Sequence, residues 1–248
     1  MKRKKNLCEL LNLEYLKVSN KTISVGERDL PKMFCDIEEY PDFIALYSEP
    51  GLYHKTERTC VGFFEYDKVF NGRYGLNESI RWNDEEKLND YAERFEGVRY
   101  FCSPDNSVGG DLHKSETDYR FFQGRLASIW LTMNVDAIVI PLITYTRKTD
   151  FQFMLDGLEE VTAVMFNTKG KIDAGIDHEL LKLAVSYTVQ RLKKLKAIIV
   201  YSVTPDNEKI FEIFAPAIEA GIKIVIPDNT LRTRNIELMK ARVHHECA

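Results

Sequence analysis

The chain has 248 residues, of which 44% are hydrophobic and 29% charged, proportions that are ordinary for a globular protein. Its formal net charge of −4 argues against a protein that coats nucleic acid non-specifically, and leaves room only for a local basic groove. No apolar segment approaches the ~20 residues that a membrane span needs, so we expect no contact with a membrane. The five cysteines are scattered and never spaced as CxxC, which is typical of a reducing cytoplasm.

Short β-type runs begin at about residue 40 and alternate with helical patterns. Several runs are continuously apolar, as in strands that are buried on both faces. The predicted strands are residues 43–48, 59–64, 98–103, 137–143, 161–166, 197–202 and 223–228.

Apolar residues recur at helical spacing over 118–134, 178–195 and 207–220. Asp118 is placed to cap the first of these helices, and Gly221 follows the last one. Pro216 predicts a kink or a break inside the third helix, because proline removes a backbone donor and clashes with the preceding turn.

Alternating strands and helices predict an α/β fold with a mainly parallel sheet and right-handed crossovers. The number of units favours a TIM-barrel-like or incomplete (β/α) barrel in a single domain, and the alternative is an open doubly wound parallel sheet. We expect residues 1–40 to form an N-terminal cap and residues 41–248 the α/β domain, with residues 65–97 as an excursion between the second and third strands.

Polar residues follow most of the predicted strands, where parallel α/β folds place their sites. In chain order these residues are Glu65 and Asp67, then Ser103, Asp105 and Asn106, then Thr144 and Tyr145, then Asn167, Lys169 and Gly170, then Tyr201 and Ser202, and last Asp228.

The carboxylates of this set are the predicted catalytic residues: Asp105, Asp67, Glu65 and Asp228. Asp105 is the strongest candidate, because its exit from the strand follows Pro104, which restricts the backbone. Converging carboxylates also predict a divalent cation, Mg²⁺ or Mn²⁺, held by Asp105 and Asp67. The alternative for Asp67 and Asp228 is a turn or a helix cap.

Arg125 lies at the edge of the apolar stripe of its helix and therefore needs an anionic partner, either Asp105 or a phosphate of a ligand. The alternative is an arginine that keeps its charge in water. Residues 167–175 contain two glycines without the spacing of a phosphate-binding P-loop. The predicted ligand-binding set is Arg125, Asn167, Lys169, Gly170, Tyr201 and Ser202.

Six segments together resemble the bacterial family known as domain of unknown function 4417, over residues 60–228. They are "GFFEYDKVFNGR", "VRYFCSPDNS", "YRFFQGRLASIWLTMNVDAIVIP", "FMLDGLEE", "NTKG" and "KAIIVYS". The chain departs from the family pattern at Asn106, Asn134 and Ser202. The resemblance implies a phage or mobile-element setting in a bacterial host and supplies no reaction. It singles out Asp67, Ser103, Asp105, Arg125, Pro141, Asp156, Gly157, Gly170 and Tyr201.

Three hypotheses on function follow. The first is a cytoplasmic enzyme that acts on the phosphate or glycosidic bond of a nucleotide or nucleic acid. The second is a non-catalytic binding protein, an anti-defence factor that binds a host protein or sequesters a nucleotide signal. The third is a DNA-binding accessory of replication or mobilisation, which the acidic net charge disfavours.

Overall fold

A computed structural model describes residues 7–246 of the chain, and the cap expected at 1–40 is therefore described only from residue 7. In that part the strands are β1 (Ser24–Val25), β2 (Leu30–Pro31), β3 (Phe43–Leu46), β4 (Thr59–Gly62), β5 (Tyr100–Cys102), β6 (Ile138–Ile140), β7 (Ala163–Asn167), β8 (Ala197–Tyr201), β9 (Lys223–Val225) and β10 (Asp228–Asn229). Each of the seven predicted segments overlaps a strand of the structure.

The helices surround these strands in an α/β arrangement. They are α1 (Leu7–Leu11), α2 (Leu16–Ser19), α3 (Asp67–Phe70), α4 (Leu76–Trp82), α5 (Glu85–Arg94), α6 (Lys114–Asn134), α7 (Ile176–Arg191), α8 (Asn207–Ile213), α9 (Ala215–Glu219) and α10 (Thr230–Glu246). Among the described residues, none of these helices has both the length and the apolar character to cross a membrane.

The strands form two parallel sheets and one antiparallel hairpin. The larger sheet has the order β10-β3-β4-β5-β6, the smaller one has the order β7-β8-β9, and β1 pairs with β2 in the hairpin. One parallel bridge joins Leu142, just after β6, to Met165 in β7. Neither sheet closes on itself, so the α/β class is confirmed and the predicted barrel is not.

The last predicted strand, 223–228, is wrong in its end point. β9 stops at Val225, and Asp228 begins a separate strand that pairs with Phe43, the first residue of β3. Pro227 lies between the two strands and has no N–H for the sheet. Asp228 is therefore not at the carboxyl end of a strand.

The predicted helix boundaries also need correction. α6 begins at Lys114, four residues before the predicted start, so Asp118 lies inside the helix and pairs with Arg28 at 3.2 Å instead of capping. The break predicted from Pro216 is confirmed, since α8 ends at Ile213 and α9 begins at Ala215 with the proline in its first turn.

The hairpin β1–β2 packs against the segment at Asp156 and Gly157. Met33 N–H donates to the carbonyl of Gly157 at 3.1 Å. Gly157 has φ +77°, and a Cβ placed there would lie 2.8 Å from a methyl carbon of Val25, so both backbone conformation and space require glycine. The Asp-Gly pair of the family pattern thus positions the N-terminal hairpin.

The core lies between the sheets and the helices that cover them. Every residue of β8 is buried, which explains its continuously apolar sequence. The rings of Phe64, just after β4, and Tyr201, the last residue of β8, stack with centroids 4.1 Å apart. Residues of the two sheets are therefore in direct contact in the core.

Candidate functional site

In the segment that follows β5, Asp105 makes different contacts from Ser103 and Asn106. Ser103 accepts a hydrogen bond from the Ser128 hydroxyl at 3.1 Å, and Asn106 accepts one from the side-chain amide of Asn77 at 2.9 Å. Both side chains are buried and linked to helices. Asp105, between them, instead accepts a hydrogen bond from the Asn167 amide, 3.0 Å away at the end of β7.

Asp105 is in an environment that disfavours its charged form. Burial raises the pKa of its carboxyl group, and the negative charge of Asp67 adds to this effect. The hydrogen bond from Asn167 and the positive charge of Lys171 act in the opposite direction but do not cancel the effect of burial. A carboxylate with a raised pKa is a better proton acceptor than a free one.

Asp105 lines a cavity of about 370 Å³ at the carboxyl ends of β5, β6 and β7. This volume lies in the range of small-molecule sites, roughly 300–1,000 Å³. Its polar lining includes Asp105, Thr144, Tyr145, Thr146, Asn167 and Lys171. The residues that follow three different strands therefore share one cavity, as expected for a site in a parallel α/β fold.

Lys171 and Tyr145 form one side of this cavity. The Lys171 Nζ lies 5.1 Å from the centroid of the Tyr145 ring. Burial lowers the pKa of Lys171, and the negative charges of Asp105 and Asp177 only partly oppose it. The Tyr145 hydroxyl is buried and has no hydrogen-bond partner within the described residues, and burial raises its pKa. An unsatisfied buried hydroxyl at a cavity is suited to a ligand polar group.

A loop at residues 107–110 also lines the cavity and is held by an ion pair, which we call the Asp67–Arg120 clamp. The Asp67 carboxylate accepts a hydrogen bond from Ser107 N–H at 2.9 Å, and Arg120 donates to the Ser107 carbonyl at 2.7 Å. Arg120 also pairs with Glu116 at 2.8 Å. Asp67 thus supports the wall of the cavity.

The two carboxylates of the predicted cation site make separate contacts with protein groups. Both carboxylate oxygens of Asp67 accept hydrogen bonds from Ser107 and Arg120. Asp105 is bonded to Asn167 instead. Within residues 7–246 no group of three His, Cys, Asp or Glu side chains is arranged to hold a metal ion.

Arg125 does not pair with Asp105, contrary to one of the sequence-based alternatives. It is buried, with 8% of its surface exposed, and its Nη2 donates to the carbonyl of Met154 at 3.2 Å. Burial lowers its pKa to about 10. Glu159 and Asp156 supply the nearby negative charge.

The remaining predicted residues lie outside the cavity lining. Glu65 accepts hydrogen bonds from the backbone and hydroxyl of Ser48, at 2.9 Å and 2.6 Å. Ser202 is fully buried, and its carbonyl accepts a hydrogen bond from Asn229 at 2.9 Å. Lys169 and Asp228 are exposed. Gly170 lies in a turn, and the Tyr201 ring stacks on Phe64.

Sequence reasoning thus identified Asp105, Asn167, Thr144 and Tyr145 at the cavity and missed Lys171. Lys171 was passed over for Lys169, two residues earlier in the same turn. In the structure, the Lys171 N–H donates to the Thr168 carbonyl at 3.0 Å and closes a turn, and the cavity lining includes Lys171. No sequence pattern encodes that turn uniquely.

The model of a family described as Domain of unknown function (DUF4417) matches residues 24–216, most of the chain. The chain belongs to this family. The match contains every residue of the cavity lining. No curated protein matches the chain.

Proposed function

We propose that the chain is an enzyme that acts on the glycosidic bond of a nucleotide, with Asp105 as its central acid–base residue. The observation that carries this proposal is the half-buried Asp105 carboxylate at a cavity also lined by Lys171, Asn167 and an unsatisfied Tyr145 hydroxyl. Glycoside cleavage is carried out by carboxylates that take or donate a proton or attack the anomeric carbon. Phosphoryl transfer instead depends on several cations around the phosphate, and Lys171 is the one cationic side chain of the described cavity lining.

The side chains of the cavity have separate roles in this proposal. Asn167 holds the Asp105 carboxylate in one orientation through their 3.0 Å hydrogen bond. The Lys171 amine lines the cavity together with Asp105 and faces the sugar of the substrate. The Tyr145 hydroxyl donates a hydrogen bond to the sugar or to the leaving base.

The proposal places this cavity at the mouth of an incomplete barrel made of both sheets. It is supported by the Leu142–Met165 bridge, by the stacking of Phe64 on Tyr201, and by the separation of β9 and β10 by only two residues. β9 borders β8 and β10 borders β3, so one short stretch of chain adjoins both sheets. Barrels of parallel strands carry their sites at this end.

The setting and the domain division are part of the proposal. A phage or mobile element in the cytoplasm of a bacterial host is the setting that the family resemblance favours. A cap at residues 1–40 and an α/β domain at residues 41–248, with the excursion at 65–97, is the division that the chain's pattern favours.

The test compares wild type with Asp105→Asn in a thermal-shift screen of nucleotides, followed by chromatography of the products. A ligand at 100 times its Kd stabilises the folded state by about 2.7 kcal/mol. That is a rise of roughly 5–10 °C in Tm for a chain of this length. We expect wild type to be stabilised and to release free base, and Asp105→Asn to release none. Asp228→Asn, at an exposed carboxylate outside the cavity, serves as the matched control.

The absence of both stabilisation and base release from wild type contradicts the proposal. Stabilisation of wild type and Asp105→Asn alike, with the nucleotide recovered unchanged, favours the sequestering protein instead. In that case the cavity binds but does not react.

The second candidate is a protein that binds a host partner, and one observation favours it. Three aromatic side chains of the excursion are largely exposed: Tyr66 at 79%, Tyr74 at 64% and Trp82 at 51%. Exposed aromatic residues are enriched at interfaces. If this candidate is correct, replacing the three aromatic residues by serine abolishes binding to the host partner, whereas Asp105→Asn leaves that binding unchanged.

A further inference from the structure

We propose that Lys171 is a nucleophilic amine that forms an imine with the aldehyde carbon of an open-chain sugar phosphate. This inference rests on the proposed function, because cleavage of a glycosidic bond frees the anomeric carbon, and the open-chain form of the sugar carries an aldehyde there. The substrate class is therefore a pentose phosphate bound in the same cavity.

The position of Lys171 supports this role. It lines the cavity together with Asp105, and its backbone N–H is fixed to the Thr168 carbonyl at 3.0 Å. Within the described residues its Nζ takes part in no ion pair of 4.0 Å or less, so the amine is not committed to a carboxylate. The Tyr145 ring, 5.1 Å from Nζ, covers one side of it.

The charges that face the amine are Asp105, which follows β5, and Asp177, in the first turn of α7. Both favour the ammonium form, and burial outweighs them, so the pKa of Lys171 is lower than that of an exposed lysine. Reactive lysines in proteins are made nucleophilic in this way, because desolvation increases the fraction of uncharged amine.

The chemical step balances within the cavity. Asp105 takes one proton from the Lys171 ammonium group, and the nitrogen lone pair then attacks the aldehyde carbon. The carbonyl π electrons move to the oxygen, which takes a proton and becomes the hydroxyl of a carbinolamine. Loss of that hydroxyl as water, with a proton from nitrogen or from Asp105, leaves a C=N bond. No oxidant or reductant takes part.

Lys169 provides an internal comparison. It belongs to the same turn and is exposed, and it does not line the cavity. A reaction governed by exposure favours Lys169, and a reaction governed by the cavity favours Lys171.

The experiment traps the imine with cyanoborohydride, which reduces C=N to a stable secondary amine. Wild type, Lys171→Arg and Lys169→Arg are each incubated with ribose 5-phosphate and the reductant, and modified lysines are located by peptide mass spectrometry. We expect Lys171 to be modified severalfold faster than any other lysine in wild type and in Lys169→Arg. Lys171→Arg retains the positive charge, and its Tm reports whether it folds.

Labelling spread over exposed lysines with Lys171 unmodified overturns the inference. If nucleotides stabilise wild type and base is released while Lys171 is not trapped, the proposed function stands and the imine step does not. If Lys171 is trapped while no nucleotide is cleaved, the amine is reactive and the glycosidic reaction is wrong.

Discussion

Replacing Tyr145 by phenylalanine removes a buried hydroxyl that has no hydrogen-bond partner in the described part of the chain. Leaving a buried polar group unsatisfied costs about 1–3 kcal/mol. Tyr145 is 8% exposed and lines an open cavity, so part of this cost is already relieved by water. We therefore expect Tyr145→Phe to raise the free energy of unfolding by about 1 kcal/mol. In a chain of this length that corresponds to a rise of roughly 2–4 °C in Tm.

Tyr201 offers a matched control. Its hydroxyl is also buried without a hydrogen-bond partner in that part of the chain, but its ring is fully buried against Phe64 and does not line the cavity. Tyr201→Phe is expected to stabilise the fold by about 1–2 kcal/mol, since water has less access to this hydroxyl. Only Tyr145→Phe is expected to weaken the stabilisation by nucleotides as well.

The assay is urea unfolding followed by circular dichroism, together with the thermal-shift titration. The reasoning is refuted if Tyr145→Phe is less stable than wild type by about 1–3 kcal/mol. A loss of that size would mean that the Tyr145 hydroxyl of the wild type has a hydrogen-bond partner in the folded state. A gain in stability with unchanged nucleotide binding refutes the role of the hydroxyl in the site. An equal loss of binding in Tyr201→Phe shows that the effect is not specific to the cavity.

Three further predictions concern charge and backbone. Asp105→Asn is expected to stabilise the fold near neutral pH, because the folded state raises the pKa of Asp105. That gain should vanish as the pH falls through the raised value toward the unfolded one, which urea titrations at about pH 7 and about pH 4 measure. Asp67→Asn is expected to speed amide exchange at 107–110 severalfold, whereas Asp42→Asn, which loses an arginine partner elsewhere, leaves that loop unchanged. Gly157→Ala is expected to cost about 2–4 kcal/mol in urea unfolding, and Gly170→Ala, with similar φ but open space, only about 1 kcal/mol.

The α/β class and the strand positions follow from the sequence because continuously apolar runs indicate strands buried on both faces. β7 and β8 are such runs, and the structure pairs them in parallel along their whole length. The position of Asp105 just beyond the carboxyl end of β5 also follows, since Pro104 restricts the backbone there. The sequence does not reveal which strands are neighbours at the edges of the sheets, because β10 pairs with β3 at a separation of 185 residues, from Phe43 to Asp228.

The errors at the site have local physical causes. Asp105 was one of the partners considered for Arg125, but the guanidinium donates to the Met154 carbonyl, and helical periodicity does not distinguish these two neighbours. Lys169 and Lys171 directly flank Gly170. The sequence does not show which of them lines the cavity, because that depends on the turn closed by the hydrogen bond from Lys171 N–H to the Thr168 carbonyl. For Asp67 the sequence left a catalytic carboxylate and a turn or helix cap open, and its partner Arg120 could not be predicted because it is distant in sequence.

β9 and β10 lie outside the residues that the family model matches, and this affects where the chain can be truncated. The match ends at residue 216, whereas the strands that border β8 and β3 lie at 223–229. A fragment that stops at the family boundary leaves both neighbours with unpaired backbone groups, the kind of edge that recruits other chains into aggregates. Asn229 adds to the cost, because its amide bonds the Ser202 carbonyl and its oxygen accepts from Arg232 N–H at the start of α10. A shortened form of this chain therefore needs the residues beyond 216, which pair with the outer strands of both sheets and protect them from association with other chains.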